Sequence, residues 1–244
     1  MPTGVLALVG SGEYTPKMLE IEKTLIQSGI DSGKTGPYVQ FATAAGLESE
    51  SRLNYWKELG ATQAEKLGVA SKFIEVFNRK DAEDSRWLKE IEGASLIYFS
   101  GGNPKHLADT LRGTDLWEKI VNEFRTGSSL AGCSAGAMFM AQKIAFPIHF
   151  KNMEDGLNLI PNLVVLPHFD RYFSRIPTFM QKFIFQDDKA ETVIGIDENT
   201  ALIYDKNSWR VEGSGAVHIV AGAQKESFSI NQRIESGIIS KPSY

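Results

Sequence analysis

The stretch Ser128–Met140, SSLAGCSAGAMFM, constrains this chain more than any other. Small and apolar residues suited to a short buried strand run into Gly132-Cys133-Ser134-Ala135-Gly136, and small apolar helix formers follow. A G-x-S-x-G placed between strand and helix is a nucleophile elbow. The backbone turns so sharply at the central serine that side chains two residues to either side have no room, hence the glycines. The helix that follows begins with free N–H groups aimed at whatever the hydroxyl attacks. Ser134 is therefore the candidate nucleophile. Cys133, one position early, is still leaving the strand and is expected to face the packed side.

The rest of the chain repeats the strand-then-helix rhythm. Val5–Val9 reads as a first buried strand entering Gly10-Ser11-Gly12, and a helical pattern runs from Pro16 to Gly29. Tyr38–Thr43 reads as a strand, Glu48–Leu59 as a helix closed by Gly60, and Ala64–Val69 as a third strand. Phe73–Phe77 is a short strand or connector, and Asp81–Ile91 is amphipathic. Leu96–Phe99 is a buried strand followed by Ser100-Gly101-Gly102-Asn103-Pro104, with helices over Lys105–Leu111 and Asp115–Phe124. This alternation predicts an α/β fold, a mainly parallel sheet with helices on both faces. Past the elbow, Lys143–Asp155 reads as a loop beside the site and Leu163–Leu166 as a strand ending at Pro167-His168. A helix over Thr178–Phe185 and a strand over Val193–Ile196 come next. Ala201–Tyr204, Trp209–Val211 and Ala216–Val220 read as short antiparallel strands near the C-terminus. No linker or repeat interrupts residues 1–244, so a single domain is expected.

Composition narrows the function. A net charge of −4 gives no footprint for nucleic acid or an anionic membrane. The single cysteine excludes a disulfide framework and a cysteine-rich metal site, and no cluster has metal-ligand spacing, so neither metal nor cofactor is expected. The opening MPTGVLALVGSGEY lacks a charged n-region and a long apolar run, which points to the cytoplasm. Its Gly10-Ser11-Gly12 completes neither G-x-G-x-x-G nor a Walker pattern, so a nucleotide is not expected there.

In open α/β sheets, function gathers at the C-terminal ends of strands. Four such ends carry chemistry: Gly101-Gly102, Ser134, His168 and Asp197-Glu198. A serine needs a base to take its proton, and the base needs a carboxylate to hold its tautomer. His168 is the base favoured by position. His106 lies in a polar helical stretch, His149 in the irregular loop and His218 among the late hairpins. Glu198, Asp197 and Asp170 are all candidates for the acid. Asp197 and Glu198 point to opposite sides if the strand continues through them, so only one of the two can face His168. Gly101-Gly102 lets backbone amides approach a ligand closely, and Gly102 with Ala135 could form an oxyanion hole. Asn103 reads as a helix cap before Pro104 and as a substrate contact.

SGGNPKHL, GCSAGA, GLNLIPNLVVLPHF and GIDENTALIY, in that order, resemble the serine peptidase family of dipeptidase E and cyanophycinase. The resemblance spans roughly residues 96–220. It implies a class I glutamine amidotransferase-like, flavodoxin-like fold, Ser134 as nucleophile, His168 as base, Glu198 as acid, and Gly102 and Ala135 in the oxyanion hole. The expected reaction is hydrolysis of a small aspartyl or β-aspartyl peptide or isopeptide, with Arg171 and Arg175 gripping a substrate carboxylate. No nucleic-acid or membrane partner is implied, and a homodimer is allowed. The alternatives are a non-catalytic binding protein on the same scaffold and an esterase or amidase acting on a non-peptide acyl group.

Overall fold

The computed structural model describes residues 3–145, 153–172, 192–222, 225–235 and 237–243. The helix expected over Thr178–Phe185, together with His149 and Arg175, lies outside these residues. The chain opens with β1 (Leu6–Val9) and passes through a 3-10 turn, Pro16–Met18, into α1 (Leu19–Asp31). Then come β2 (Gly36–Phe41), α2 (Glu50–Leu67) and β3 (Ser71–Ile74). Two short helices, α3 (Arg79–Ala82) and α4 (Arg86–Glu90), stand where one was expected. Asn78 and Asp81 cap α3 reciprocally, and Asp84 accepts the Arg86 N–H to start α4 afresh. β4 (Ala94–Phe99), α5 (Pro104–Leu111), α6 (Asp115–Arg125) and β5 (Ser129–Cys133) follow the expected pattern.

After Ser134 the chain makes only one helical turn, α7 (Ala135–Met138), and re-enters a strand, β6 (Ala141–Ile144). With β7 (Glu154–Asp155), this places strands at both ends of the stretch read as a loop. β8 (Ile160–Leu166), the single turn α8 (Phe169–Tyr172) and β9 (Thr192–Ile196) carry the chain to its C-terminal strands. These are β10 (Thr200–Asp205), β11 (Ser208–Gly213), β12 (Ala216–Ala221), β13 (Glu226–Ser229) and β14 (Arg233–Ile234).

The central sheet has eight strands in the order β14-β11-β10-β1-β5-β4-β2-β3. Its β1, β5, β4, β2 and β3 are parallel, and the C-terminal strands β10, β11 and β14 extend it antiparallel. Residues alternate between two cores. Leu6, Leu8, Ile97, Phe99 and Leu130 face the layer of α5, α6 and α7, while Ala7, Val9, Leu96, Tyr98 and Ala131 face α1 and α2. Strands buried on both faces are apolar throughout, which is why they were legible as strands. A six-stranded sheet, β13-β12-β9-β8-β6-β7, lies beyond the first, with β6, β8 and β9 parallel. The whole is a class I glutamine amidotransferase-like, flavodoxin-like architecture with this second sheet added. No helix among the described residues is long and apolar enough to cross a membrane.

One expectation fails at α2. The strand read over Ala64–Val69 begins with the helix's last turn, and the helix ends at Gly68 with φ 69°. Gly60, read as a terminus, sits mid-helix because a Cβ there would lie 2.4 Å from Gln40 Oε1. The glycine lets α2 approach β2, where Gln40 donates to the Gly60 carbonyl at 2.9 Å.

Candidate active site

Strand ends from both sheets converge. β5 ends at Ser134 and β4 at Gly101-Gly102, while β8 delivers His168 and β9 delivers Glu198. Ser134 has φ 52° and ψ −110°, a conformation costing about 1–3 kcal/mol for a residue with a side chain. Its surroundings impose it. A Cβ on Gly132 would meet the Gly136 carbonyl at 1.9 Å, so strand and helix close on each other with nothing between. The Ser134 N–H donates to Val9 O at 2.9 Å and anchors the elbow to β1.

Gly102, at φ 142°, lies between two tethered amides. Gly101 N–H donates to Glu13 Oε1 at 3.0 Å, and Asn103 N–H to Ala44 O at 2.8 Å. Among the described residues neither Gly102 N–H nor Ala135 N–H has a hydrogen-bond partner. Asn103 Oδ1 caps α5 through the His106 N–H, and His106 Nε2 lies 2.8 Å from Phe77 O, a structural placement.

His168 is also held at positive φ, 51°. Its Nε2 lies 3.2 Å from Ser134 Oγ and its Nδ1 2.9 Å from Glu198 Oε1. The next residue fixes this placement. Phe169 is buried against Gly195 of β9, where a Cβ would stand 2.2 Å from the ring, so the His168 loop rests directly on the strand that presents Glu198. The hydrogen bond from His168 holds the Glu198 carboxyl below the usual carboxylate range, and Arg171, 3.5 Å from the same oxygen, adds to this.

The other two acids serve the backbone. Asp170 accepts the Glu198 N–H at 2.9 Å. Asp197 accepts the Ala216 N–H at 2.9 Å and pairs with His218 Nε2 at 3.1 Å. Burial works to raise the Asp197 carboxyl, but the hydrogen bonds from His218 and Ala216 outweigh it and hold it low. β9 ends at Ile196, before both acids, so strand alternation does not sort them, but they take different partners, Glu198 His168 and Asp197 the Ala216 N–H and His218. Cys133 is fully buried, and its thiol donates to Glu13 Oε2 at 3.0 Å. Burial pushes that thiol well above its ordinary pKa, with the Glu13 carboxylate pushing the same way.

A cavity of about 610 Å³ opens beside these groups, with Gly102 and His168 at one side and Leu47, Leu166, Pro167 and Tyr172 around it. Arg171 does not line it; its guanidinium is turned to Glu198 and over the Tyr172 ring. Among the described residues no group of three or more His, Cys, Asp or Glu side chains could hold a metal ion. Sequence reasoning missed Glu13. The available signal was its place in the loop after β1, at the same sheet end as the elbow. A hydroxyl beside an imidazole, an imidazole beside a carboxylate, and two amides with no partner among the described residues form an arrangement suited to acyl transfer.

Comparison with known proteins gives a consistent picture. A solved peptidase from an acI-B1 Actinobacterium is 42% identical, with 96% of this chain and 97% of that one superimposed at a TM-score of 0.88. The cyanophycinase of Trichormus variabilis is 28% identical over 178 residues, 69% of this chain. That match covers 56% of the cyanophycinase, so the chain spans about half the length of the curated relative. Peptidase E of Shewanella denitrificans is 26% identical over 170 residues, 65% of this chain and 70% of the relative. The model of peptidase family S51 matches residues 6–211. The chain belongs to peptidase family S51.

Proposed function

We propose that this protein is a serine-type peptidase that hydrolyses small peptides or isopeptides through Ser134, His168 and Glu198. The observation that carries the reading is the continuous relay of Ser134 Oγ, His168 Nε2, His168 Nδ1 and Glu198 Oε1, with separations of 3.2 and 2.9 Å, on a strained elbow. Ser134 Oγ attacks the scissile carbonyl as its proton passes to His168 Nε2. Glu198 holds the proton on Nδ1 and stabilises the imidazolium. The oxyanion is received by the N–H groups of Gly102 and Ala135, each worth about 2.7–4 kcal/mol in the transition state. His168 then gives its proton to the leaving amine, and water repeats the sequence on the acyl-enzyme.

The substrate reading, an aspartyl or β-aspartyl bond, draws on the cyanophycinase and peptidase E relatives. A second reading, an esterase or amidase taking an apolar acyl group, is favoured by the cavity walls Leu47, Leu166 and Pro167 and by the commitment of Arg171 to Glu198. A panel of α- and β-aspartyl dipeptides, neutral dipeptides and short acyl esters, run with wild type and Ser134→Ala, separates the two. Aspartyl cleavage lost in Ser134→Ala supports the first reading, and ester cleavage alone supports the second. Hydrolysis that persists in Ser134→Ala sinks both.

A further inference from the structure

The loop that leaves β1 touches every part of the site. Val9 O accepts the Ser134 N–H at 2.9 Å, Gly10 O the His168 N–H at 3.3 Å, and Ser11 O the N–H of Asn199, next to Glu198, at 3.2 Å. These are backbone bonds, open to many sequences. Glu13 differs, because its side chain makes the last two links. Oε1 takes the Gly101 N–H and Oε2 the Cys133 thiol, each at 3.0 Å. One carboxyl therefore spans the loop after β4 and the residue before the nucleophile.

We infer that Glu13 is a positioning residue that sets the spacing between Ser134 and the amide of Gly102. The inference rests on the proposed roles of Ser134 and Gly102. The Gly102 N–H has no partner among the described residues, and the amides on both sides of it are fixed, one by Glu13 and the other by Ala44. The fit is tight. A Cβ on Gly101 would lie 2.7 Å from Glu13 Oε1 and 3.4 Å from Ser134 Cβ, so the glycine admits carboxyl and nucleophile on one side. Cys133 supplies a neutral S–H as donor, consistent with a thiol that burial keeps protonated. This accounts for a cysteine beside the nucleophile without giving it a covalent role.

Reach and charge are separated by two substitutions. Glu13→Gln keeps the length and an oxygen for Gly101, with its amide nitrogen facing the sulfur. Glu13→Asp keeps the charge but is one methylene too short to hold both ends. The readout is labelling of Ser134 by an alkyl fluorophosphonate. In that step the Oγ–P bond forms, P–F breaks, fluoride leaves and the hydroxyl proton goes to His168. Saturation kinetics separate the rate of bond formation from affinity, and thermal midpoints check folding. Misplacing a donor by about 1 Å costs on the order of 100-fold. Glu13→Asp is therefore expected to label about 10- to 100-fold more slowly at saturation, with affinity within about threefold. Glu13→Gln is expected to keep most of the wild-type rate. A folded Glu13→Asp that labels as fast as Glu13→Gln, or a loss in affinity alone, overturns the inference. A wild type that never labels at Ser134 refutes the proposed nucleophile instead, so the two failures are distinct.

Discussion

Glu22 permits the most quantitative forecast. It lies on α1 with 0% exposure; Tyr38 donates to its Oε2 at 3.1 Å and Oε1 has no partner among the described residues. Burial raises its pKa from an ordinary 4.5 to about 7, the neighbouring side chains of Gln63 and then Tyr38 offsetting only part. Between those values the folded chain holds a proton that the unfolded chain has released, so stability falls as pH rises. The contribution is fully present below pH 4.5 and lost as pH passes 7. A shift of this size corresponds to about 3 kcal/mol. Glu22→Gln keeps the shape and removes the titration. Its stability relative to wild type should therefore improve by about 2.5 kcal/mol between pH 5 and pH 8, roughly 5–10 °C in thermal midpoint for a chain this long. Thermal unfolding of both proteins at the two pH values is the assay. A difference between them that is the same at pH 5 and pH 8 would refute the reasoning.

Four further outcomes are expected. Glu198→Gln should lower kcat on the order of 10⁴-fold with little change in substrate binding, because the amide favours the wrong imidazole tautomer. Asp170→Asn retains an acceptor for the Glu198 N–H and should stay within about tenfold, the scale of one hydrogen bond; the reverse ranking of these two variants in steady-state kinetics would reassign the acid. Cys133→Ala should fold and, losing only the thiol end of the Glu13 link, stay within about tenfold of wild-type activity, the scale of one hydrogen bond; a complete loss in a folded variant would revive a cysteine mechanism. Gly132→Ala forces a Cβ onto the Gly136 carbonyl and should destabilise by about 1–3 kcal/mol while displacing Ser134, read as a lower denaturation midpoint together with slower labelling.

Legibility in the sequence followed the physics of each element. β1, β4 and β5 were readable because strands enclosed on both faces are continuously apolar. The elbow was readable because its steric demand leaves glycines at fixed offsets. Gly60 misled, since a glycine that admits a neighbouring side chain looks the same in sequence as one that ends a helix. The second sheet was hidden because β6 and β7 are short, and their pairing with each other and with β8 is decided by long-range contacts. Alternation could not sort Asp197 from Glu198, because β9 ends at Ile196 before either; Glu198 lies beside His168 in a turn whose neighbouring strand seats Phe169 on Gly195. Glu13 was invisible because its two partners are a backbone N–H and a buried thiol 88 and 120 residues away.

The proposed nucleophile is tested most directly by mass. Treating the protein with an alkyl fluorophosphonate, digesting it and mapping the adduct should place a single phosphonyl group on Ser134, with labelling strongly slowed in His168→Ala. An unmodified Ser134 in folded protein, or an adduct at another residue with Ser134 intact, would contradict the account.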